Sequence, residues 1–244
     1  LLILGVLLLF SNLHFKESLS VDNRKRGNLK SLVSGFGIVL KNRRYVYYVL
    51  QMGFAMGVLF ANISSSPFIV QQHYGFSAFE FSLFFGINAL AIGLAAGLSV
   101  KFKNPEHAMF LGSVGMTMMS AVEFVILSNE YHFAVYEAVL FVLLFSMGLT
   151  FTASTTLAMD CERANSGTAS ALFGAAGFAF GGIVSPLVGL GDILSTTGLI
   201  FFVCSVCSLC FSVLAMNQTH TNLWGSFKCK MGPVTRFVFL RREK

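Results

Sequence analysis

Six stretches, near residues 46–66, 79–100, 107–128, 133–157, 168–190 and 195–216, are each a little over twenty residues of almost unbroken apolar character. An α-helix rises about 1.5 Å per residue, so about 20 residues cross the hydrocarbon core of a bilayer. Inside lipid each backbone N–H and C=O must find its partner within its own segment, which a helix does and an isolated strand does not. The six stretches are therefore predicted to be transmembrane helices, and the fold class is an all-α membrane protein built on a six-helix bundle. The composition agrees. Charged residues are 11% of the chain, where a soluble domain carries about a quarter. The connections leave room for extramembrane structure only in a loop at 14–45 and a tail at 217–244.

Residues 1–13 open on "LLILGVLLLFSN". The run is shorter than a span and lacks the basic flank and small-residue cleavage site of a signal peptide. It reads as the end of a truncated transmembrane helix.

The segment "NRKRGNLKSLVSGFGIVLKNRR", Asn23 to Arg44, holds seven Lys or Arg and no acidic residue. Such a run grips nucleic acid or marks a membrane side. With alternating topology, one set of connections comprises 14–45, 101–106, 158–167 and 217–244, and all 17 Lys and Arg fall in it. Cytoplasmic loops carry an excess of these residues, so this set, tail included, is predicted to be cytoplasmic and no nucleic-acid partner is expected. Leu29, Leu32, Val33, Phe36 and Leu40 recur at helical spacing within the run, as in an amphipathic helix whose partner is membrane lipid.

Catalysis is not expected. There is no P-loop, H-E-x-x-H or G-x-S-x-G, and His14, His73, His107, His132 and His220 are scattered over loops and span edges. Cys204, Cys207 and Cys210 sit in one apolar run without His or carboxylate neighbours, and Cys161 and Cys229 lie apart, so no metal site is expected.

Polar residues at membrane depth are the informative ones, because lipid penalises them unless they face protein or water. Gln51 and Asn62 fall on one face of the first full span, leading to Ser64, Ser65 and Ser66. Asn88 lies midway along the second, close to Phe84 and Phe85. Thr150, Thr152, Ser154 and Thr155 flank Phe151 in the fourth. Amides and hydroxyls among aromatics suit an apolar ligand with few polar groups, so Gln51, Asn62, Phe84, Asn88, Phe151 and Thr155 are substrate-cavity candidates. Interhelical hydrogen bonding is the rival reading for the amides. For the hydroxyls, bonding to their own helix backbone is the reading adopted. Glu80, Glu123 and Glu137, placed toward the outer span ends, are proton-carrier candidates, although such a place also suits a solvated boundary residue. Asp160, Glu162 and Arg163 suggest a local salt bridge or gate latch. Pro67 and Pro186 can terminate or bend their helices near the outside and are gate or hinge candidates. Gly53 and Gly57, Gly93 and Gly97, and Gly177 and Gly181 each leave two bare patches on one helix face, the pattern of close helix packing.

Two longer stretches, "SPFIVQQHYGFSAFEFSLFFGINAL" and "RANSGTASALFGAAGFAFGGIVSPLVGL", together with "KNRRY" before the first full span, resemble the seventh-to-eighth and eleventh helix regions of the major facilitator superfamily. Within it they are most similar to the Bcr/CflA type of drug:proton antiporter. The matching positions are Ser66, Pro67, Phe68, Gly75, Ser77, Phe81, Asn88, Gly167, Thr168, Ala169, Ser170, Ser185, Pro186 and Gly189, whereas "VKFKNPEHAM" departs from the usual helix eight-to-nine loop. The resemblance implies the C-terminal half of a major facilitator fold, made of two inverted three-helix repeats. The first, second, fourth and fifth full spans would line a cavity facing an N-terminal six-helix half. It further implies proton-driven multidrug efflux across a bacterial inner membrane, with a small drug-like substrate, no cofactor and the proton gradient as energy source. A metabolite carrier and a non-transporting membrane scaffold are the alternatives.

Overall fold

In the computed structural model, which describes residues 2–14 and 29–230, the chain is helical with short connections. The basic cluster Arg24–Arg26 and the tail beyond residue 230 lie outside the described residues, as do the side chains of Leu29, Leu32 and Val33 in the expected amphipathic helix. The chain divides into two units, residues 1–34 and 35–244. The first contains α1 (Leu2–His14) and the start of α2 (Leu29–Leu40).

The second unit holds the six helices long and apolar enough to cross a membrane: α3 (Arg43–Pro67), α4 (Ala78–Ser99), α5 (Pro105–Ser128), α6 (Phe133–Cys161), α7 (Ser166–Leu187) and α8 (Ile193–Lys230). Their starts carry the expected local chemistry. Asn42 caps α3 by accepting from the Tyr45 N–H, and Pro105 opens α5, where no N–H is needed. The helix α8 runs without a break from its apolar span into the region read as a tail.

The packing has an internal symmetry. Extensive contacts join α3 to α7 and α6 to α4, α3 to α8 and α6 to α5, and also α5 to α8 and α3 to α6. Exchanging α3–α4–α5 for α6–α7–α8 maps this set onto itself. Because each repeat has three helices, the second enters the membrane from the face opposite the first, the inverted-repeat arrangement of many transporters. The central pair is α3 and α6, each 56% buried over its apolar window, while α4 and α7 are only 17% and 28% buried. So α4, α6, α3 and α7 form one open wall, and α5 and α8 stand behind it.

Lipid gives helices little hydrophobic reason to associate, so close backbone packing and hydrogen bonds decide the arrangement. A Cβ at Gly53 would meet the Phe180 ring, one at Gly181 the Phe60 ring, and one at Gly177 the Met56 side chain. Thus α3 and α7 each seat a phenylalanine of the other on a glycine. Gly57 takes Cys204 of α8 and Val184 of α7 in the same way. The expectation for Gly93 and Gly97 does not hold within the described chain: nothing lies within 4 Å of a Cβ at either, and their face of α4 is open. Glycines that meet the backbone of a neighbouring helix fall elsewhere, at Gly112 against Ser146 and Thr150, Gly148 against Ile92, and Gly198 against Phe124. Hydroxyls also donate across these helix pairs to main-chain carbonyls, Tyr45 to Ala169 (2.7 Å), Thr117 to Ser205 (3.1 Å) and Ser99 to Leu149 (3.3 Å).

Pro67 does not end its helix. The chain continues as a π-helical turn, Phe68–His73, so proline is accommodated by a change of winding. Pro186 lies inside α7 just before a 3₁₀ turn, Val188–Leu190. At this level the hydroxyls of Ser64 and Ser185 hydrogen-bond each other and tie the two proline-bearing helices together.

The basic end is closed by polar contacts. Arg44 pairs with Glu106 at the start of α5 (2.9 Å), bonds the Tyr48 hydroxyl (3.2 Å), and lies 5.7 Å from that ring's centroid. Asn42 donates to Glu162 at the end of α6 (2.7 Å). The expected salt bridge forms between Arg163 and Asp160 (2.9 Å), but it is exposed and confined to one turn. Partly exposed pairs contribute modestly. Arg44→Ala is expected to lower stability by about 1 kcal/mol, and Arg163→Ala to be neutral, in thermal unfolding of the detergent-solubilised protein.

Candidate functional site

Gln51 is fully buried and both ends of its amide are engaged. Nε2 donates to Ser208 Oγ on α8 (3.0 Å), Oε1 accepts from Ser154 Oγ on α6 (2.5 Å), and Ser208 Oγ donates back to the Gln51 carbonyl (3.1 Å). Of the two readings of this residue, interhelical bonding is the one the geometry describes. Asn62 is also buried, and its Oδ1 accepts from Ser66 Oγ (3.0 Å).

Part of the hydroxyl set follows the adopted reading, whereas Ser64, Thr150 and Ser154 bond across to neighbouring helices. Thr155 donates to the Phe151 carbonyl (2.8 Å), Thr156 to Thr152 (3.0 Å) and Ser65 to Ala61 (2.9 Å), each one turn back on its own helix. Phe151 and Thr155 are half-buried on α6.

Phe84 is half-buried in an aromatic cluster, its ring 5.3 Å from Phe76 and 4.7 Å from Phe133, with Tyr74 and Tyr136 beyond. Beside it a narrow crevice is bordered by Ser66, Asn88, Tyr136 and Glu137. Asn88 Nδ2 donates to Glu137 Oε1 (2.9 Å), which joins α4 to α6. Glu123 of α5 is fully buried, contrary to the watered boundary expected for it, and lies within electrostatic range of Glu137 and Tyr136.

The third carboxylate has a different place. Glu80 is exposed and forms a capping box with Ser77. Its Oε2 accepts from the Ser77 N–H (2.9 Å) and hydroxyl (2.7 Å), and its own N–H donates to Ser77 Oγ (3.3 Å). The S-x-x-E spacing of "SAFE" carries that signal openly. Glu80 is a helix-start residue.

A second, open cleft of about 400 Å³ lies where the π-helical turn meets the α7–α8 connection, lined by Phe68, Gln72, His73, Asp192 and Leu194. Asp192 caps α8: the Ser195 N–H (2.9 Å) and hydroxyl (2.8 Å) bond to its carboxylate and hold its pKa below the ordinary value. The cleft is open to its surroundings, and its carboxylate is already engaged in capping α8.

Sequence alone does not single out Tyr136 or Ser208. A signal for the acidic pair did exist. Glu123 lies five residues before the end of α5, and Glu137 four residues after the start of α6. A helical hairpin with so short a turn brings positions equidistant from the turn to the same depth.

The chain matches the family described as Major Facilitator Superfamily over residues 1–186. It is 34% identical over 228 residues to a Bacillus subtilis (strain 168) protein named "Uncharacterized MFS-type transporter YdgK". That alignment takes in 91% of this chain and 57% of the relative, so the chain spans somewhat over half the relative's length.

Proposed function

Because this chain belongs to the Major Facilitator Superfamily, we propose that its six-helix bundle is one of two walls of an alternating-access membrane transporter. The other wall is a second six-helix bundle, and the two rock about a mid-membrane site. The observation that carries this reading is the open wall of α4, α6, α3 and α7. Its two end helices each pack chiefly on one neighbour and leave Leu90, Gly93, Leu94 and Gly97 of α4, and Gly174, Phe178 and Gly182 of α7, exposed. A broad apolar face rich in bare glycine suits another bundle that approaches closely and slides.

The substrate class we propose is small amphipathic or apolar compounds, exported across a bacterial inner membrane in exchange for protons, as in Bcr/CflA-type carriers. Support comes from the aromatic and weakly polar character of Phe84, Phe151 and Thr155 and from the Asn88 crevice. Gln51 is withdrawn from the lining because its amide is enclosed and spent. Asn62 is nearly as enclosed and is a minor candidate.

The test is export by the whole transporter in resistance and vesicle-uptake assays. Asn88→Ala is expected to reduce transport at least tenfold while protein level in the membrane holds. Gly93→Leu with Gly97→Leu is expected to leave this bundle folded and transport lost, since those positions meet nothing within it. Full drug export by both variants would remove the proposed wall from the transport path.

A further inference from the structure

Five buried oxygen atoms between α4, α5 and α6 have no hydrogen-bond partner: Asn88 Oδ1, Glu123 Oε1 and Oε2, Glu137 Oε2 and the Tyr136 hydroxyl. They belong to one cluster. Asn88 is bonded to Glu137, Glu123 lies within electrostatic range of Glu137, and the Tyr136 hydroxyl lies within that range of both carboxyls. Glu123 and Tyr136 are wholly enclosed, and Asn88, Tyr136 and Glu137 border the same crevice.

The donor inventory does not balance. The cluster's hydrogens are the Tyr136 O–H and the Asn88 amide, one of whose N–H groups already goes to Glu137 Oε1. Two carboxyl groups and an amide carbonyl are therefore buried within electrostatic range of one another with too few donors. Nor is there a counter-charge: among the described residues the ion pairs join Arg44 to Glu106 and Arg163 to Asp160, both at the basic end. The other titratable group in range is Tyr74, the residue after the π-helical turn, and it is also neutral as a phenol. Ionised carboxylates enclosed within a helix bundle are strongly disfavoured unless a positive charge joins them.

We propose that this cluster is a binding site for one small monovalent cation, Na⁺ or H⁺ taken up by the same oxygens, with Glu123 and Glu137 supplying charge and Asn88 and Tyr136 supplying neutral ligands. Carboxylate, amide and phenol oxygens form a hard donor set, suited to such ions and unsuited to zinc or copper. A proton on either carboxyl turns an acceptor into the missing donor, while Na⁺ gathers the oxygens directly. The inference stands on burial and hydrogen-bond geometry and is independent of what the protein carries.

The experiment is thermal unfolding of the purified full chain in detergent, with NaCl titrated against choline chloride at constant ionic strength, repeated across a pH series. A saturable rise in Tm with Na⁺ identifies a metal-ion site. A rise on acidification with no Na⁺ response identifies a proton site. In either case the response is expected to amount to several degrees in the wild type and to vanish in Glu123→Gln and Glu137→Gln. These isosteric changes remove charge and keep volume. Glu80→Gln, at an exposed cap, should respond like the wild type. Should any of these variants fail to fold, proton release on adding NaCl to the wild type, measured with a pH dye, reads the same site. The proposal is overturned if the wild type responds to neither ion, or if both buried glutamine variants respond as the wild type does.

Discussion

Replacing Gly148 with leucine is expected to leave little or no folded protein in the membrane. A Cβ at this position would stand 2.5 Å from the Ile92 carbonyl oxygen, 2.9 Å from Ala95 Cβ and 3.0 Å from Ile92 Cα. The obstruction is mostly backbone, so no rotamer change relieves it and the helices themselves must part. That matters more here than at most crossings, because α6 is the chief partner of α4. Alanine at this position should already cost about 1–3 kcal/mol through overpacking, and leucine more than the crossing can absorb. Gly112 makes the comparable crossing of α5 with α6, its Cβ 2.6 Å from the Ser146 carbonyl oxygen. Gly112→Leu is therefore expected to fail in the same way. The monodisperse fraction after detergent extraction, read by size-exclusion chromatography, is the measurement. Gly93→Leu is the control and should be indistinguishable from the wild type.

Gln51→Ala is expected to cost about 2–4 kcal/mol, combining the cavity left by the side chain with the loss of the Ser154 hydroxyl's acceptor, while Ser208 keeps the main-chain carbonyl of residue 51. The figure is held down because Ser154 can turn its hydroxyl to its own helix backbone, and hydrogen bonds between membrane helices average below 1 kcal/mol. Gln51→Met keeps the volume and discards the polarity, so it should recover the cavity part of the loss. Chemical unfolding in mixed micelles distinguishes the two. Export by these variants should fall only in proportion to the folded protein. A Gln51→Ala protein of full stability with altered substrate preference would restore the residue to the cavity wall.

Much of the fold was legible because lipid imposes a length and a satisfaction rule that hold whatever the side chains do. The six helices follow from runs of apolar residues alone. What sequence could not tell was which way a residue faces. The GxxxG pairs at Gly53, Gly57, Gly177 and Gly181 do receive side chains from neighbouring helices, whereas the identical spacing at Gly93 and Gly97 meets nothing in this bundle. Spacing defines a face, and only the arrangement of neighbours decides what stands opposite. The single glycines 112, 148 and 198 were overlooked for the converse reason: one bare position suffices where two backbones cross. Glu123 and Glu137 were read by their distance from a loop, a measure of depth along the helix that carries no information about whether water reaches the side chain. Pro67 was open to a reading as a helix terminator because proline removes a hydrogen bond. The helix nevertheless continues past it, as a π-helical turn to His73.

The proposed transporter requires six membrane crossings in this bundle, with connections alternating between two sides. Single cysteines placed at Lys41, Lys103 and Arg163, and at His73, Glu130 and Asp192, in a background with the five native cysteines replaced, test it directly. In sealed vesicles a membrane-impermeant maleimide should label the first three from one side and the second three only from the other. Labelling of both sets from the same side would contradict the topology and everything built on it.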